Sequence, residues 1–191
     1  MKKLLLILTI IMSLNTSYAQ IRDRKSIYME LSANIRDITL PLKSNHLFSL
    51  SFVSPSKIKV YKRYNFIYDK TIFQALKLSQ DIPIERYMAT FSLEKPFLQS
   101  ASNRAYMGLE LGGGLGYEQI NKGTEIINNF QLNNTSSLIG ILQLGLNAEL
   151  YISRGLAIGV KNTLFFSPNS TLQRVTIANG ITLKFKIKNT K

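Results

Sequence analysis

The sequence predicts an all-β protein: a small antiparallel up-and-down β-barrel of about eight strands, of the outer-membrane type. Three observations carry this. Apolar and polar residues alternate with period two in segment after segment, and no stretch beyond residue 20 repeats apolar residues at helical spacing. Tight turns alternate with longer polar connections, as in a barrel whose turns are short on one side of a membrane. The chain also opens on a segment built for export. A periplasmic β-sandwich alternates too and stands as the competing fold. Against it, the polar faces are small or charged, and the apolar faces run in Leu, Ile and Phe tracts without the Pro-rich or Trp-centred features of sandwiches.

The opening segment has the three parts of a cleaved signal peptide. Lys2 and Lys3 supply positive charge, Leu4 to Leu14 is almost wholly apolar, and Ser17-Tyr18-Ala19 offers small residues to a peptidase. Cleavage is expected between Ala19 and Gln20, leaving 20–191 as a single barrel domain. The apolar run is too short to cross a bilayer core of about 30 Å as a helix. Export with retention at the outer membrane is the expectation, with the periplasm as the alternative. The sequence contains no cysteine, which excludes lipoprotein processing, disulfides, thiolate metal sites and cysteine nucleophiles. Its net charge of +13 is spread over 57–63, around Arg86, and over 184–191 rather than gathered in one tract. In an exported protein that favours anionic membrane surfaces or acidic partners over nucleic acid.

The strands follow in order. Ile27, Met29, Leu31 and Ala33 oppose Tyr28, Glu30 and Ser32. Phe48, Leu50 and Phe52 oppose Ser49 and Ser51. Lys57 to Tyr68 is β-prone without a clear apolar face; its Tyr61, Tyr64, Phe66 and Tyr68 read either as an interfacial aromatic girdle or as ordinary strand aromatics. Tyr87, Ala89, Phe91 and Leu93 oppose Arg86, Thr90 and Ser92. A glycine-rich strand comes next. Leu138, Leu142, Leu144, Leu146, Ala148 and Leu150 then oppose Ser137, Gln143, Gly145, Asn147 and Glu149. Leu156, Ile158, Val160, Leu164 and Phe166 oppose Ala157, Gly159, Lys161 and Thr163, and Val175, Ile177, Ile181, Leu183, Phe185 and Ile187 oppose Thr176, Ala178, Gly180, Thr182, Lys184 and Lys186. The turns at 54–57 and 153–155 are tight, whereas 69–81, 121–135 and 167–174 read as longer connections; 94–103 is longer than the scheme wants. Glu30, Glu110, Glu149, Lys161 and Lys184 fall on the polar faces, which predicts a narrow lumen of paired charges.

The glycine-rich strand contains GGGLGYEQINKG, from Gly112 to Gly123. A phosphate loop needs G-x-x-x-x-G-K-[ST] between a strand and a helix, and neither the Lys-Ser/Thr pair nor a βαβ setting is present. Alternation instead puts Met107, Leu109, Leu111, Leu115 and Tyr117 on one face. Tyr106, Gly108, Glu110, Gly112, Gly114, Gly116 and Glu118 fall on the other. Inward glycines leave room for bulky or charged neighbours in a narrow barrel, or mark a close approach or a bend. Asn121-Lys122-Gly123 then closes the strand, since Asn and Gly tolerate positive φ.

Gly114 to Gly123, GLGYEQINKG, resembles the central motif of the TraO family of conjugative transposon proteins: Gly-Tyr-Glu, a variable residue, Ile-Asn, a basic residue and Gly. Gly116, Tyr117, Glu118, Ile120, Asn121, Lys122 and Gly123 match it in order, and the likeness is most specific between Gly108 and Phe185. The chain departs from the pattern at its end, where Phe185 is followed by Lys-Ile-Lys-Asn-Thr-Lys rather than stopping on an aromatic residue. The resemblance implies a component of the mating apparatus at the outer membrane, touching lipid and other apparatus proteins. It brings no catalytic residue and no cofactor.

Two other classes compete. A general surface barrel for adhesion or stress resistance shares all the physical signals and differs only through the motif. A membrane-embedded lipid hydrolase would need a serine with a base and an orienter; the lone histidine, His46, with Glu30 opposite it, is the sole candidate pair. No carboxylate cluster has calcium-loop spacing, so no metal is expected. The sequons at Asn133 and Asn134 read as loop polarity. Passage of DNA through so narrow a barrel is excluded by a side-chain-filled interior, and no direct nucleic-acid binding is expected.

Overall fold

The computed structural model describes residues 26–36, 42–56, 60–75, 80–100, 104–121, 134–153, 155–170 and 173–189. They form β1 (Ser26–Arg36), β2 (Leu42–Pro55), β3 (Tyr61–Ala75), β4 (Gln80–Gln99), β5 (Ala105–Ile120), β6 (Thr135–Tyr151), β7 (Leu156–Phe166) and β8 (Val175–Asn189). Each strand pairs antiparallel with its sequence neighbour, and β1 pairs with β8, closing a barrel of eight strands. An even count of antiparallel strands puts both chain ends at one end of the barrel, here called the terminal end. The ends of β1 and β2, β3 and β4, β5 and β6, and β7 and β8 that follow one another in sequence meet at the other, the loop end.

Period-two alternation decides the faces. On β1, Tyr28, Glu30, Ser32 and Asn34 are buried while Leu31 and Ile35 are exposed. Many outward residues of the remaining strands are large and apolar, including Phe48, Phe66, Phe91, Leu115, Leu142, Val160 and Ile181. Apolar side chains cover the wall, while the lumen holds the buried polar and charged side chains together with aromatic and apolar clusters.

Two expected connections are strand instead. The polar run 69–81 is not a long loop, because β3 continues to Ala75 and β4 begins at Gln80, with Asp69 paired to Arg86 and Thr71 to Ile84. Asp69 and Thr71 are buried, so their polarity belongs to the lumen rather than to solvent. Likewise 94–99, within the expected connection 94–103, is strand, since Glu94 is fully buried and β4 runs on to Gln99. The register of β4 against β5 shifts between Pro96 and Leu98, where proline has no N–H to give the ladder. The Ser100 hydroxyl then accepts from the backbone N–H groups of Arg104 and Ala105, each at 3.0 Å, and ties the two strand ends together. Tyr61 leaves the expected aromatic girdle as well. It is buried in the lumen, whereas Tyr64 and Phe66 are exposed on the wall, and Tyr64 and Tyr68 lie against Phe91 and Tyr87, each pair with ring centroids 5.2 Å apart.

The glycines of β5 serve mainly close approach. A Cβ on Gly112 would stand 2.4 Å from the Phe91 carbonyl oxygen, and one on Gly114 2.0 Å from that of Ala89. Here β4 backbone, rather than a bulky side chain across the lumen, forbids a side chain. Gly108 and Gly145 do make room, the first beside Tyr106 and Glu94, the second beside Glu110.

Candidate functional site

The lumen is built in layers. Nearest the terminal end, Tyr28, Val53, Tyr61, Tyr106, Tyr151 and Ala157 form a largely aromatic floor, with Tyr28 edge-on to Tyr151 and Tyr61 edge-on to Tyr106. Above it lies a charged layer centred on Arg63 of β3. Arg63 is bonded to Glu30 and Glu94, and its Nε stands 3.5 Å from Glu110. Lys161 reaches Glu110 at 2.9 Å and Glu30 at 3.9 Å. Lys184 is bonded to Glu149 and lies 3.3 Å from Glu30. Glu30, Glu94, Glu110, Arg63 and Lys184 are all 0–1% exposed.

Burying charge is costly unless it is paired and hydrogen-bonded, and here polar neighbours supply bonds to the acids, while Arg63 Nε is left with only the 3.5 Å approach to Glu110. The Tyr106 and Tyr151 hydroxyls donate to Glu94 and Glu149. Asn147 donates to Glu94 at 2.8 Å, and Ser92 and Gln143 donate to Glu110. A third layer, Leu47, Ile67, Met88, Ile139, Ile141, Phe165 and Ala178, is apolar. A lumen cavity bounded by Asn34, Asn65, Ile67, Gln143 and Lys161 among others has a volume of about 10 Å³, space for at most a single water.

At the loop end a second ion cluster closes the mouth. Arg86 Nε donates to Glu118 at 2.6 Å, and Asp69 lies 3.7 Å from the same guanidinium. Arg86 also donates to the Ser170 hydroxyl at 3.0 Å and to the Gln173 carbonyl at 3.2 Å, while Ser170 donates to Glu118 at 2.8 Å. The segment after β7 is thereby drawn across the opening. Asn169 ties it to β6, accepting from Gly140 N–H at 2.8 Å and donating to the Leu138 carbonyl at 2.9 Å.

Glu30, Glu110, Glu149, Lys161 and Lys184 are buried and joined by ion pairs into one network. Its centre, Arg63, and its fourth acid, Glu94, are not among the residues singled out from sequence: Arg63 lies in a segment without a clear apolar face, and Glu94 begins a stretch that reads as a connection. The motif residues divide by parity. Gly116 lies beneath Met88, Ile139 and Ile141, where its small size admits their side chains. Tyr117 points outward, Glu118 holds Arg86, and Ile120 packs with Ile82 and Ile84. Asn121 takes φ 63°, as the turn requires, and its N–H donates to the Pro83 carbonyl at 2.8 Å. Lys122 and Gly123, the cleavage pair Ala19 and Gln20, and Asn133 lie outside the described residues. His46 is exposed on the outer wall, stacked near Phe48 at 6.4 Å, whereas Glu30 is in the lumen. The barrel wall separates them, so they form no base–orienter pair. An outer concavity of about 1000 Å³, bounded by Leu31, Phe48, Phe66, Tyr87, Leu115 and Leu183, belongs to the apolar wall and not to the charged interior.

Comparison with known proteins bears on these features. The family described as conjugative transposon protein TraO matches residues 26–187, from the first strand to the last. No curated protein matches the chain. Among solved structures, Neisserial surface protein A aligns with a TM-score of 0.63 at 7% identity, covering 86% of this chain and 98% of that one. Ail, the attachment invasion locus protein of Yersinia pestis, aligns with a TM-score of 0.51 at 14% identity, covering 84% of this chain and 95% of its own. A structure of the outer membrane protein Ail in a phospholipid bilayer nanodisc aligns with a TM-score of 0.50 at 11% identity, covering 84% and 99%. At such identities the likeness is one of fold: an eight-stranded barrel of the kind found in outer membranes.

Proposed function

We propose that this chain, which belongs to the TraO family of conjugative transposon proteins, is a non-enzymatic outer-membrane component of the mating apparatus. The family match across the whole barrel carries this reading. The fold supports the membrane part, because a wall of Phe, Leu and Ile side chains suits lipid tails and a closed barrel leaves no unpaired strand edge in them. Residues 1–19 direct export, and the terminal end faces the periplasm.

The closed lumen makes the barrel an anchor rather than a conduit. Its contribution is to hold two surfaces in place. At the loop end, the Arg86–Glu118 clamp lies where β5 ends, ahead of the longest stretch of sequence between two strands, Asn121 to Asn134. At the terminal end the exposed charges among the described residues, Lys62, Lys95 and Lys188, are all basic, which suits acidic surfaces of periplasmic apparatus proteins.

The test is transfer frequency from a donor with an in-frame deletion of this chain, complemented by the intact gene. A fall of several orders of magnitude, restored by complementation, is expected. Unchanged transfer would overturn the mating role. The second reading, a general surface barrel, draws on the structural likeness to a Neisserial surface protein and to an attachment invasion locus protein. It predicts unchanged transfer with altered attachment to surfaces.

A further inference from the structure

The outer wall is not uniform. On β2 to β5 it is rich in aromatic rings, among them Phe48, Phe52, Tyr64, Phe66, Tyr87 and Phe91. Across β7 and β8 it is mainly aliphatic, and polar side chains interrupt it at one place. The outward positions of β7 read Leu156, Ile158, Val160, Asn162, Leu164 and Phe166; those of β8 read Val175, Ile177, Asn179, Ile181, Leu183, Phe185 and Ile187. Asn162 and Asn179 are register partners, both exposed, and the Asn162 amide donates to Asn179 Oδ1.

Their height matters. The rungs Leu164–Ile177 and Phe166–Val175 lie on the loop side, and Val160–Ile181, Ile158–Leu183 and Leu156–Phe185 on the terminal side. The 11 residues of β7 match the span of about 9–11 that a tilted strand needs to cross a bilayer core. The asparagine pair therefore sits near mid-depth, where lipid tails offer no hydrogen bond. Each carboxamide carries two donor hydrogens and an accepting oxygen. The mutual bond leaves the Asn162 oxygen as acceptor and the Asn179 nitrogen as donor, and exchanging which amide donates leaves the same complement. A depression of about 400 Å³ surrounds the pair, lined by Leu146, Ala148, Val160 and Ile181.

We propose that this wall is a homodimer interface within the membrane, in which the Asn162–Asn179 pair of one copy hydrogen-bonds the same pair of a second copy across a twofold axis along the membrane normal. Two properties select a second copy as the occupant. Two copies inserted the same way carry the pair at the same depth, so no adjustment of height is needed; another protein would have to place a polar group there independently. The pair is also self-complementary, presenting one donor and one acceptor side by side, which an isologous interface requires. Small Ala148 next to it lets the walls approach, as small residues do between membrane segments. The inference rests on the barrel spanning the membrane and not on a role in conjugation.

The chain has no cysteine, so single cysteines report cleanly. Full-length Val160→Cys, one rung from the intact pair, and, on the opposite wall, Phe66→Cys are oxidised in native outer membranes. A disulfide-linked species of twice the monomer mass is expected from Val160→Cys and none from Phe66→Cys. In lipid nanodiscs the intact protein is expected to be dimeric. The double variant Asn162→Leu/Asn179→Leu, with folding checked by heat-modifiable gel mobility, is expected to dissociate at least tenfold more readily. Linkage to a protein of different mass, equal linkage from both positions, a monomeric intact protein or an undiminished dimer in the leucine variant would each overturn the proposal. A chain stripped from membranes by alkaline carbonate would remove the membrane span itself, and the proposal with it.

Discussion

At Gly114 the lack of a single methyl group lets two strands pair. The position its Cβ would take is 2.0 Å from the Ala89 carbonyl oxygen and 2.6 Å from Thr90 Cα, both backbone atoms of the paired strand. Neither can yield without breaking the ladder, so Gly114→Ala is expected to abolish the folded, heat-modifiable form. Two residues on, a Cβ at Gly116 would meet only side-chain carbons of Ile141, Met88 and Ile139, at 3.0–3.1 Å. Those can shift, and Gly116→Ala is expected to cost about 1–3 kcal/mol by urea unfolding in micelles. Equal behaviour of the two variants would contradict the close-approach account. The lumen acids also divide at this scale. Loss of Glu110 leaves Lys161, among the described residues, the single acid Glu30 at 3.9 Å, and both are buried. Glu110→Ala should therefore cost roughly 3–5 kcal/mol. Glu149→Ala should cost less, because Lys184 keeps Glu30 at 3.3 Å. The same unfolding measurement ranks them, and the reverse order would refute this pairing.

Among the elements, β3, β5 and the segment that follows β7 all meet one guanidinium on β4. Arg86 joins Asp69 and Glu118 to Ser170 and the Gln173 carbonyl, so Arg86→Met removes the cation between two buried carboxylates together with both bonds to the segment. Trypsin cleavage at Arg174 in the folded protein is expected to accelerate at least tenfold. Asn169→Ala, which loses only neutral bonds to β6, should cost about 1 kcal/mol and leave most of the protection. How much of this was legible follows from what alternation encodes. Parity alone placed Glu30, Glu110, Glu149, Lys161 and Lys184 inside, because one residue of slip would put every one of them on the wall. It failed on β3, where lumenal Ile67 interrupts the polar face while Lys62 and Lys70 stand on the outer one, and that hid Arg63. It also failed where strands run beyond the apolar band. Asp69 and Thr71 read as a loop because a lumenal polar residue and a solvated one look alike in sequence. Distances across the lumen leave no trace in a linear pattern, so the Arg63 cluster and the Arg86 clamp emerge only when the barrel is closed.

For the whole molecule, the three filled layers decide what it can transport. An ion entering from the loop end meets the Arg86–Glu118 cluster, then the apolar layer around Leu47, Ile139 and Phe165, then the charges about Arg63, and finally the tyrosine floor. The lumen cavity of about 10 Å³ among these layers does not admit a hydrated ion, let alone a DNA strand. Salt does not loosen the seal. At about 1 M the screening length falls to about 3 Å, which weakens pairs exposed to solvent, but Arg63, Glu30 and Glu94 are buried from it. The protein reconstituted in a planar bilayer is thus expected to show no unitary conductance, in dilute or concentrated salt. Regular current steps in the intact protein would mean that the layers part in the membrane. Steps in Glu110→Ala alone would instead locate the seal in the charged layer, because that variant leaves the tyrosine floor and the apolar layer in place while removing the shared acid of Arg63 and Lys161.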